Sequence, residues 1–210
     1  ISLGLVGSEM CIRDRSEGVV AGTALAAAVF HRVDAHIEIH VLLEDGSRVA
    51  PGAVIMKVEG SARSLLTAER TALNFMQRLS GIATQTHRYV EATDGSRAKI
   101  LDTRKTTPGW RHLEKAAVVA GGGTNHRMGL YDRAMLKDNH LATFSDLSAL
   151  RQAMQRLKQE RPEVSIQVEA DRLDQVAEFL KIEEIDAILL DNMNLSELSS
   201  AVAMLSLIHI

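Results

Sequence analysis

The sequence predicts an α/β protein in two parts, a small strand-and-turn part followed by an incomplete, barrel-type repeat of strands and helices. Three observations predict it. Ile37, Ile39 and Val41 alternate with polar neighbours, the period of a half-buried strand. After Gly60 the pattern changes abruptly, and Leu65, Leu66, Ala72, Leu73, Met76 and Leu79 recur at helical spacing. Beyond Lys99, short apolar runs at Ile100-Leu101, Ala134-Leu136, Ile166-Val168 and Ala187-Leu190 end in Asp102, Lys137, Glu169 and Asp191, with helical segments between them.

Residues 18–60 read as strands and turns. Asp45-Gly46 is placed as a hairpin turn that accepts positive φ, and residues 54–58 form the next strand between Gly52 and Gly60. A boundary near Ser61 leads into a helix that Gly81 is expected to end, before a second helix carries residues 82–92. The glycines at 121–123 close another helix. Ser145 is expected to open one with Leu147, Leu150, Met154 and Leu157 on one side, and residues 172–180 to form the next. A doubly wound nucleotide-binding sheet would show the same alternation, but no G-x-G-x-x-G follows a first strand. Residues 1–15 and 205–210 match nothing between them in texture, resemble translated adapter sequence, and are expected to be foreign. The working division is therefore 16–92 for the first domain with its linking helices and 93–204 for a truncated barrel domain.

Composition excludes several classes. With 46% hydrophobic and 24% charged residues the chain is neither disordered nor collagen-like. The apolar stretch at residues 19–30 is too short to span a membrane and runs into His31, Arg32 and Asp34. A net charge of -3 argues against a general nucleic-acid binder, so any anion site must be local. Cys11 is the single cysteine, which rules out an internal disulfide and suits a reducing, cytoplasmic setting.

Ligands of parallel βα architectures lie over the carboxyl ends of the strands, so the charged residues there are placed for substrate by topology. In LDTRKTTPGWR, Arg104 offers a guanidinium fork and Lys105 a point charge, although a solvated turn would carry the same residues. In AGGGTNHRMGLYDRAMLKDNH, three glycines would let backbone approach a ligand, and His126, Arg127 and Lys137 add donors around one strand. His126 or His140 taken alone reads as a structural histidine. Five cations, Arg104, Lys105, His126, Arg127 and Lys137, in an acidic chain point to an anionic ligand. Glu169 and Asp191 could accept ribose hydroxyls or hold Mg²⁺, or could cap the helices that follow them, as could Asp171. Neither a G-x-S-x-G elbow nor a zinc motif is present, which leaves a reaction run by positioning and electrostatics.

The strings AERTALNFMQRLSGIAT, ILDTRKTTPGWR, GGGTNHRMGLYDRAMLKDNH, VEAD and LLDNM, in this order, resemble the quinolinate phosphoribosyltransferase family over roughly residues 17–204. The resemblance implies an N-terminal α/β sandwich followed by an incomplete α/β barrel, and homodimers with shared active sites. It implies that quinolinate and 5-phosphoribosyl-1-diphosphate, with Mg²⁺, give nicotinate mononucleotide, diphosphate and carbon dioxide. By the same resemblance Arg104, His126 and Arg127 surround the quinolinate carboxylates, and Arg70 is lent by the neighbouring subunit. Lys105 and Lys137 lie near the substrates, and Glu169 and Asp191 face the ribose and metal; Lys105, Lys137, Glu169 and Asp191 are the expected catalytic residues. The opening of the sandwich and the later barrel strands with their phosphate loops have no counterpart in this sequence, so the chain by itself is expected to be weak or inert. A nicotinate-specific relative and a non-catalytic sugar-phosphate binder are the alternatives.

Overall fold

The computed structural model describes residues 8–141 and 146–208, which form two compact units, Ile1–His126 and Arg127–Ile210. It has the expected α/β class, built from short sheets and helices.

In the first unit, β1 (Ser8–Arg13), β5 (Val54–Gly60) and β3 (Glu38–Val41) make an antiparallel sheet in the order β1-β5-β3. β2 (Gly18–Val19) and β4 (Arg48–Val49) form a separate pair. The segment expected to be foreign thus contributes β1, and its alternating Met10 and Ile12 are buried in the core. β5 is central and mostly apolar, with Ile55, Met56 and Val58 buried.

The run at residues 18–60 is not all strand and turn, because residues 23–33 fold as helix α1 (Thr23–Val33). Its donors are satisfied from a distance. The Asp45 carboxylate accepts from the Gly22 amide at 2.8 Å, the Thr23 amide at 2.9 Å and the Thr23 hydroxyl at 2.8 Å. Asp45-Gly46 does turn the chain, with φ 93° at Gly46, but it joins strands of different sheets and is not a hairpin.

Helix α2 (Ala62–Ala92) is continuous, where two helices separated at Gly81 were expected. Ser61 caps it, its hydroxyl accepting from the Ser64 amide at 3.2 Å. A glycine costs an exposed helix about 1 kcal/mol. Here the buried stripe Leu65, Ala68, Ala72, Met76, Leu79, Ala83 and Thr86 runs straight through Gly81, and its packing outweighs that cost. The front half of α2 completes a core with Phe30, Met56 and Val58; the back half joins a second core with Val19, Ala21 and Ala117. A fully buried Phe, Met or Leu such as Phe30, Met56 or Leu65 contributes about 1.5–3 kcal/mol. The second core attaches helix α3 (Arg111–Ala120) to α2, so the first unit runs on past residue 92 to His126.

In the second unit β6 (Arg133–Leu136), β7 (Ser165–Ala170) and β8 (Ala187–Leu190) form a parallel sheet in sequence order. Between and after them come α4 (Asp138–Leu141), α5 (Leu147–Glu160), α6 (Leu173–Phe179) and α7 (Leu195–Ile208). Leu150 and Met154 of α5, Val176 and Phe179 of α6 and Ala201 of α7 share a core with Ile166, Val168 and Ala170 of β7. Ser145 lies outside the described residues; Asp146 caps α5, accepting from the Ala149 amide at 2.9 Å. The expected strand at Ile100-Leu101 is reduced to one parallel bridge, Leu101 to Thr124, in the first unit.

Candidate functional site

In the first unit the loop at residues 102–107 leaves the Leu101 bridge and carries Arg104 and Lys105. Two buried, oppositely charged neighbours on α3 hold its ends. At the first end the Lys115 side chain, 1% exposed, pairs with the Asp102 carboxylate, 4% exposed. Lys115 Nζ also donates to the His126 carbonyl at 3.0 Å, and the His126 amide donates to Asp102 Oδ1 at 2.9 Å. With its amide turned to satisfy both neighbours, Asn125 donates to Asp102 Oδ2 at 2.5 Å and to the Lys115 carbonyl at 3.0 Å. At the other end Glu114 accepts from Thr107, at 3.1 Å from the amide and 2.8 Å from the hydroxyl, and from Arg78 Nη2 at 2.7 Å. Burial alone would raise the Glu114 pKa, but the hydrogen bonds from Arg78 and Thr107 outweigh it and hold the carboxyl below its ordinary range.

Between these anchors Arg104 is half-buried. Its Nε is buried and has no hydrogen-bond partner among the described residues. Lys105 is exposed. Arg111 steadies the loop backbone through Thr106 Oγ1 at 3.3 Å and the Arg104 carbonyl at 3.4 Å. Trp110, where the loop meets α3, stacks on Phe75 of α2 with centroids 4.9 Å apart.

The glycines after α3 do something other than approach a ligand. A Cβ on Gly121 would meet the Ala83 carbonyl at 2.3 Å and Thr86 Cβ at 2.8 Å, and one on Gly123 would meet Thr86 Cγ2 at 2.9 Å. The close approach at Gly121 is to helix α2, and at Gly123 it is to Val118 of α3, at 2.7 Å, as well as to α2.

In the second unit the sheet register groups the remaining candidates. Arg133 pairs with Ser165 and Met135 with Gln167, and on the other side Gln167 pairs with Ala187 and Glu169 with Leu189. Side chains alternate, so Met135, Gln167, Glu169 and Leu189 share one face, opposite the face of Ile166, Val168 and Ala170 that packs on the helices. Lys137 and Asp191 lie one step beyond β6 and β8 in the same parity, and the Asp191 amide continues the ladder to the Ala170 carbonyl at 2.9 Å. Lys137 Nζ sits 2.8 Å from Glu169 Oε2, but off the angle of a hydrogen bond, so this buried oxygen is paired by charge alone. Arg127 reaches the Met135 sulfur at 3.1 Å and the Arg133 carbonyl at 3.4 Å. Three of the expected residues, Lys137, Glu169 and Asp191, therefore stand at the carboxyl end of one sheet face, while Arg127 reaches that face nearer its amino end, at Arg133 and Met135.

Capping does not account for the acidic residues. Asn194 caps α7, accepting from Ser196 and Glu197 at 2.9 and 3.1 Å, while Gln175 accepts from the Asp171 and Arg172 amides ahead of α6. The Asp191 carboxylate accepts from the side chain of its neighbour Asn192 at 3.0 Å, and Asn192 has φ 54°. His140 Nδ1 accepts from the Lys137 amide at 3.1 Å. Asp132 accepts from the Met128 and Gly129 amides at 2.6 and 3.0 Å and fixes the turn after Arg127. Arg70 joins neither group: it stands exposed on α2.

Lys115, Glu114, Asn125 and Arg78 escaped the reading of the sequence. One signal was available. Glu114 stands at i, i+3, i+4 and i+7 with Ala117, Val118 and Gly121, a carboxylate on what is otherwise the apolar stripe of α3.

Comparison with known proteins covers both units and sets its own domain boundary at residues 80–82, inside the first unit. The family model for the quinolinate phosphoribosyl transferase N-terminal domain matches residues 5–80, and that for the C-terminal domain matches residues 82–209. A nicotinate-nucleotide pyrophosphorylase [carboxylating] of Mycobacterium leprae is 46% identical over 180 residues, covering 85% of this chain and 62% of that protein. A chloroplastic protein of the same name from Arabidopsis thaliana is 43% identical over 185 residues, covering 85% of this chain and 53% of its own length. Among solved structures, NadC from Streptococcus pyogenes superposes with a TM-score of 0.86 at 38% identity, covering 97% of this chain and 72% of that one. The chain spans 52% to 64% of the length of such relatives from plants and bacteria. With models of both domains matched in order along its length, the chain belongs to the quinolinate phosphoribosyl transferase family.

Proposed function

We propose that this chain carries the substrate-binding core of an enzyme that transfers the phosphoribosyl group of 5-phosphoribosyl-1-diphosphate to quinolinate, with loss of carbon dioxide, to give nicotinate mononucleotide and diphosphate. The observation that carries the reading is Arg104 Nε, a buried cationic donor with no hydrogen-bond partner among the described residues, on a loop fastened at both ends. Buried donors are almost always satisfied, so one left open on a preorganised loop fits an acceptor supplied by a ligand. The names of the relatives, nicotinate-nucleotide pyrophosphorylase [carboxylating] and quinolinate phosphoribosyltransferase [decarboxylating], support this choice of reaction.

The residues divide the chemistry. Arg104, Lys105, His126 and Arg127 neutralise the two carboxylates of the pyridine and orient its ring nitrogen. Attack of that nitrogen on C1 of the ribose breaks the bond to diphosphate, and positive charge develops on the sugar as the anion departs. Lys137 balances the leaving diphosphate; Glu169 and Asp191 favour the cationic sugar and accept its hydroxyls. The carboxylate beside the ring nitrogen then leaves as carbon dioxide; the electron pair of the broken carbon–carbon bond stays on that ring carbon, stabilised by the adjacent cationic nitrogen, and a proton from water completes the new C–H bond.

Glu169 and Asp191 also suit Mg²⁺. No group of three or more metal-ligating side chains occurs among the described residues, and Mg²⁺ is commonly held by one or two carboxylates plus water and substrate phosphates. When bound, the ion would neutralise diphosphate charge. Exposed Arg70 fits donation to a neighbouring subunit, which makes the working form a homodimer. No described helix is long and apolar enough to cross a membrane; a cytoplasmic setting and independence from nucleic acid complete the proposal.

The test is release of labelled carbon dioxide from carboxyl-labelled quinolinate by the protein that carries this sequence at family length. Release that needs both substrates and is lost in Arg104→Ala and Asp191→Ala is expected. Full turnover in Asp191→Ala would remove that carboxylate from the catalytic group, binding of 5-phosphoribosyl-1-diphosphate without any release would favour a sugar-phosphate binder, and equal use of nicotinate would favour the monocarboxylate relative.

A further inference from the structure

Glu114 and Lys115 are consecutive on α3, opposite in charge and buried, the first 8% and the second 1% exposed. Consecutive residues on a helix point about 100° apart, so one short stretch of α3 reaches two separated points of the chain. Glu114 takes the end of the cation loop at Thr107, through amide and hydroxyl together. Lys115 takes the start of the loop at Asp102 and, through the carbonyl of His126, the segment that presents His126. Asp102 closes the arrangement by accepting the His126 amide.

We propose that the Glu114–Lys115 pair is a clamp of two positioning residues that presets Arg104, Lys105 and His126 for a dianionic ligand. The inference rests on the proposed binding of quinolinate for its ligand, but its mechanical part stands apart from that reading. Neither residue is a contact for the ligand: Lys115 is too buried to touch one, and Glu114 would repel it. Burying a pair of charges is seldom the most stable way to fill a core, since apolar residues of the same shape do as well or better. What such a pair does supply is a single geometry. Cations crowded in one loop repel one another, and without fixed ends the loop would spread them until an anion arrived. The clamp meets that ordering cost during folding, so that less of the binding energy is spent on it. Arg78 ties the loop to α2 as well, its Nη2 donating to Glu114 at 2.7 Å and to Thr107 Oγ1 at 2.8 Å.

Residue-resolved amide hydrogen exchange on the 210-residue chain separates a clamp from a general structural role. In Glu114→Gln exchange is expected to accelerate on the order of tenfold at Thr107, and in Lys115→Met at His126, while Phe30 and Val58 in the other core keep their rates. Parallel titration with pyridine-2,3-dicarboxylate, followed by the fluorescence of Trp110, should show affinity weakened roughly tenfold in both variants. If Lys115→Met does not fold, Asn125→Ala and Thr107→Val test the two ends with milder changes and the same expected pattern. Unchanged exchange at Thr107 and His126 in folded variants overturns the clamp, as does exchange that rises equally in the Phe30 core. Absence of dicarboxylate binding in the unmodified chain counts against the proposed ligand alone, because the exchange rates still judge the clamp.

Discussion

Lys115 and Lys137 are both lysines facing a carboxylate, and they behave as different devices. Lys115 is 1% exposed against an Asp102 that is 4% exposed, whereas Lys137 is 47% exposed against a Glu169 that is 14% exposed. The first pair is closed off from solvent and knits three backbone segments together. The second is open on one side and lacks hydrogen-bond geometry, so its ammonium can turn to a phosphate without unfolding anything. One pair is a closed support within the first unit, and the other stands open at the strand ends of the second.

Substitution should separate the two. Lys115→Met leaves Asp102 buried and uncompensated, and we expect a loss of about 3–5 kcal/mol, read by denaturant unfolding of the first unit. The double variant Asp102→Asn/Lys115→Met should recover most of that, because both buried charges are gone; a double variant as unstable as the single one would show that packing governs the pair. Gly121→Ala should cost about 1–3 kcal/mol, since the new methyl meets the Ala83 carbonyl at 2.3 Å and α2 must shift. A neutral effect there would mean that the turn after α3 adjusts freely.

Acid sharpens the comparison further. The Glu114 carboxyl is held below the ordinary glutamate range, so its contribution to stability is complete above the unfolded value and is lost as pH falls through the lowered folded value. Glu114→Gln should therefore be less stable than the parent near neutrality, with the gap closing on acidification. A gap that stays constant with pH would remove the carboxylate from the account. The smallest expected effect belongs to the exposed pair: Lys137→Ala should change stability by no more than about 1 kcal/mol while weakening binding of 5-phosphoribosyl-1-diphosphate.

Much of the second unit was legible because its signals are local. The runs at Ala134-Leu136, Ile166-Val168 and Ala187-Leu190 are strands, and Lys137, Glu169 and Asp191 stand at their carboxyl ends. Parity alone puts Glu169 opposite in face to Val168, but only the parallel register shows that Lys137, Glu169 and Asp191 share that face. The first unit was harder for a physical reason. Helix α1 depends on a carboxylate from Asp45, and Gly81 is tolerated because a buried stripe continues on both sides of it. The glycines at 121 and 123 read as ligand-facing until α2 is seen against them. The candidate cations Arg104, Lys105 and His126 were legible as residues. The groups that support their loop were not, because a lysine and a glutamate within a helix ordinarily face water.

Competition calorimetry between quinolinate and nicotinate tests the central claim most directly, that the first-unit cations are set for two carboxylates. Quinolinate should bind at least roughly tenfold more tightly, and Arg104→Ala should erase the difference, because an unmet cationic donor penalises the ligand that lacks the second carboxylate. Equal affinities in the parent chain, or a preference that survives Arg104→Ala, would contradict it.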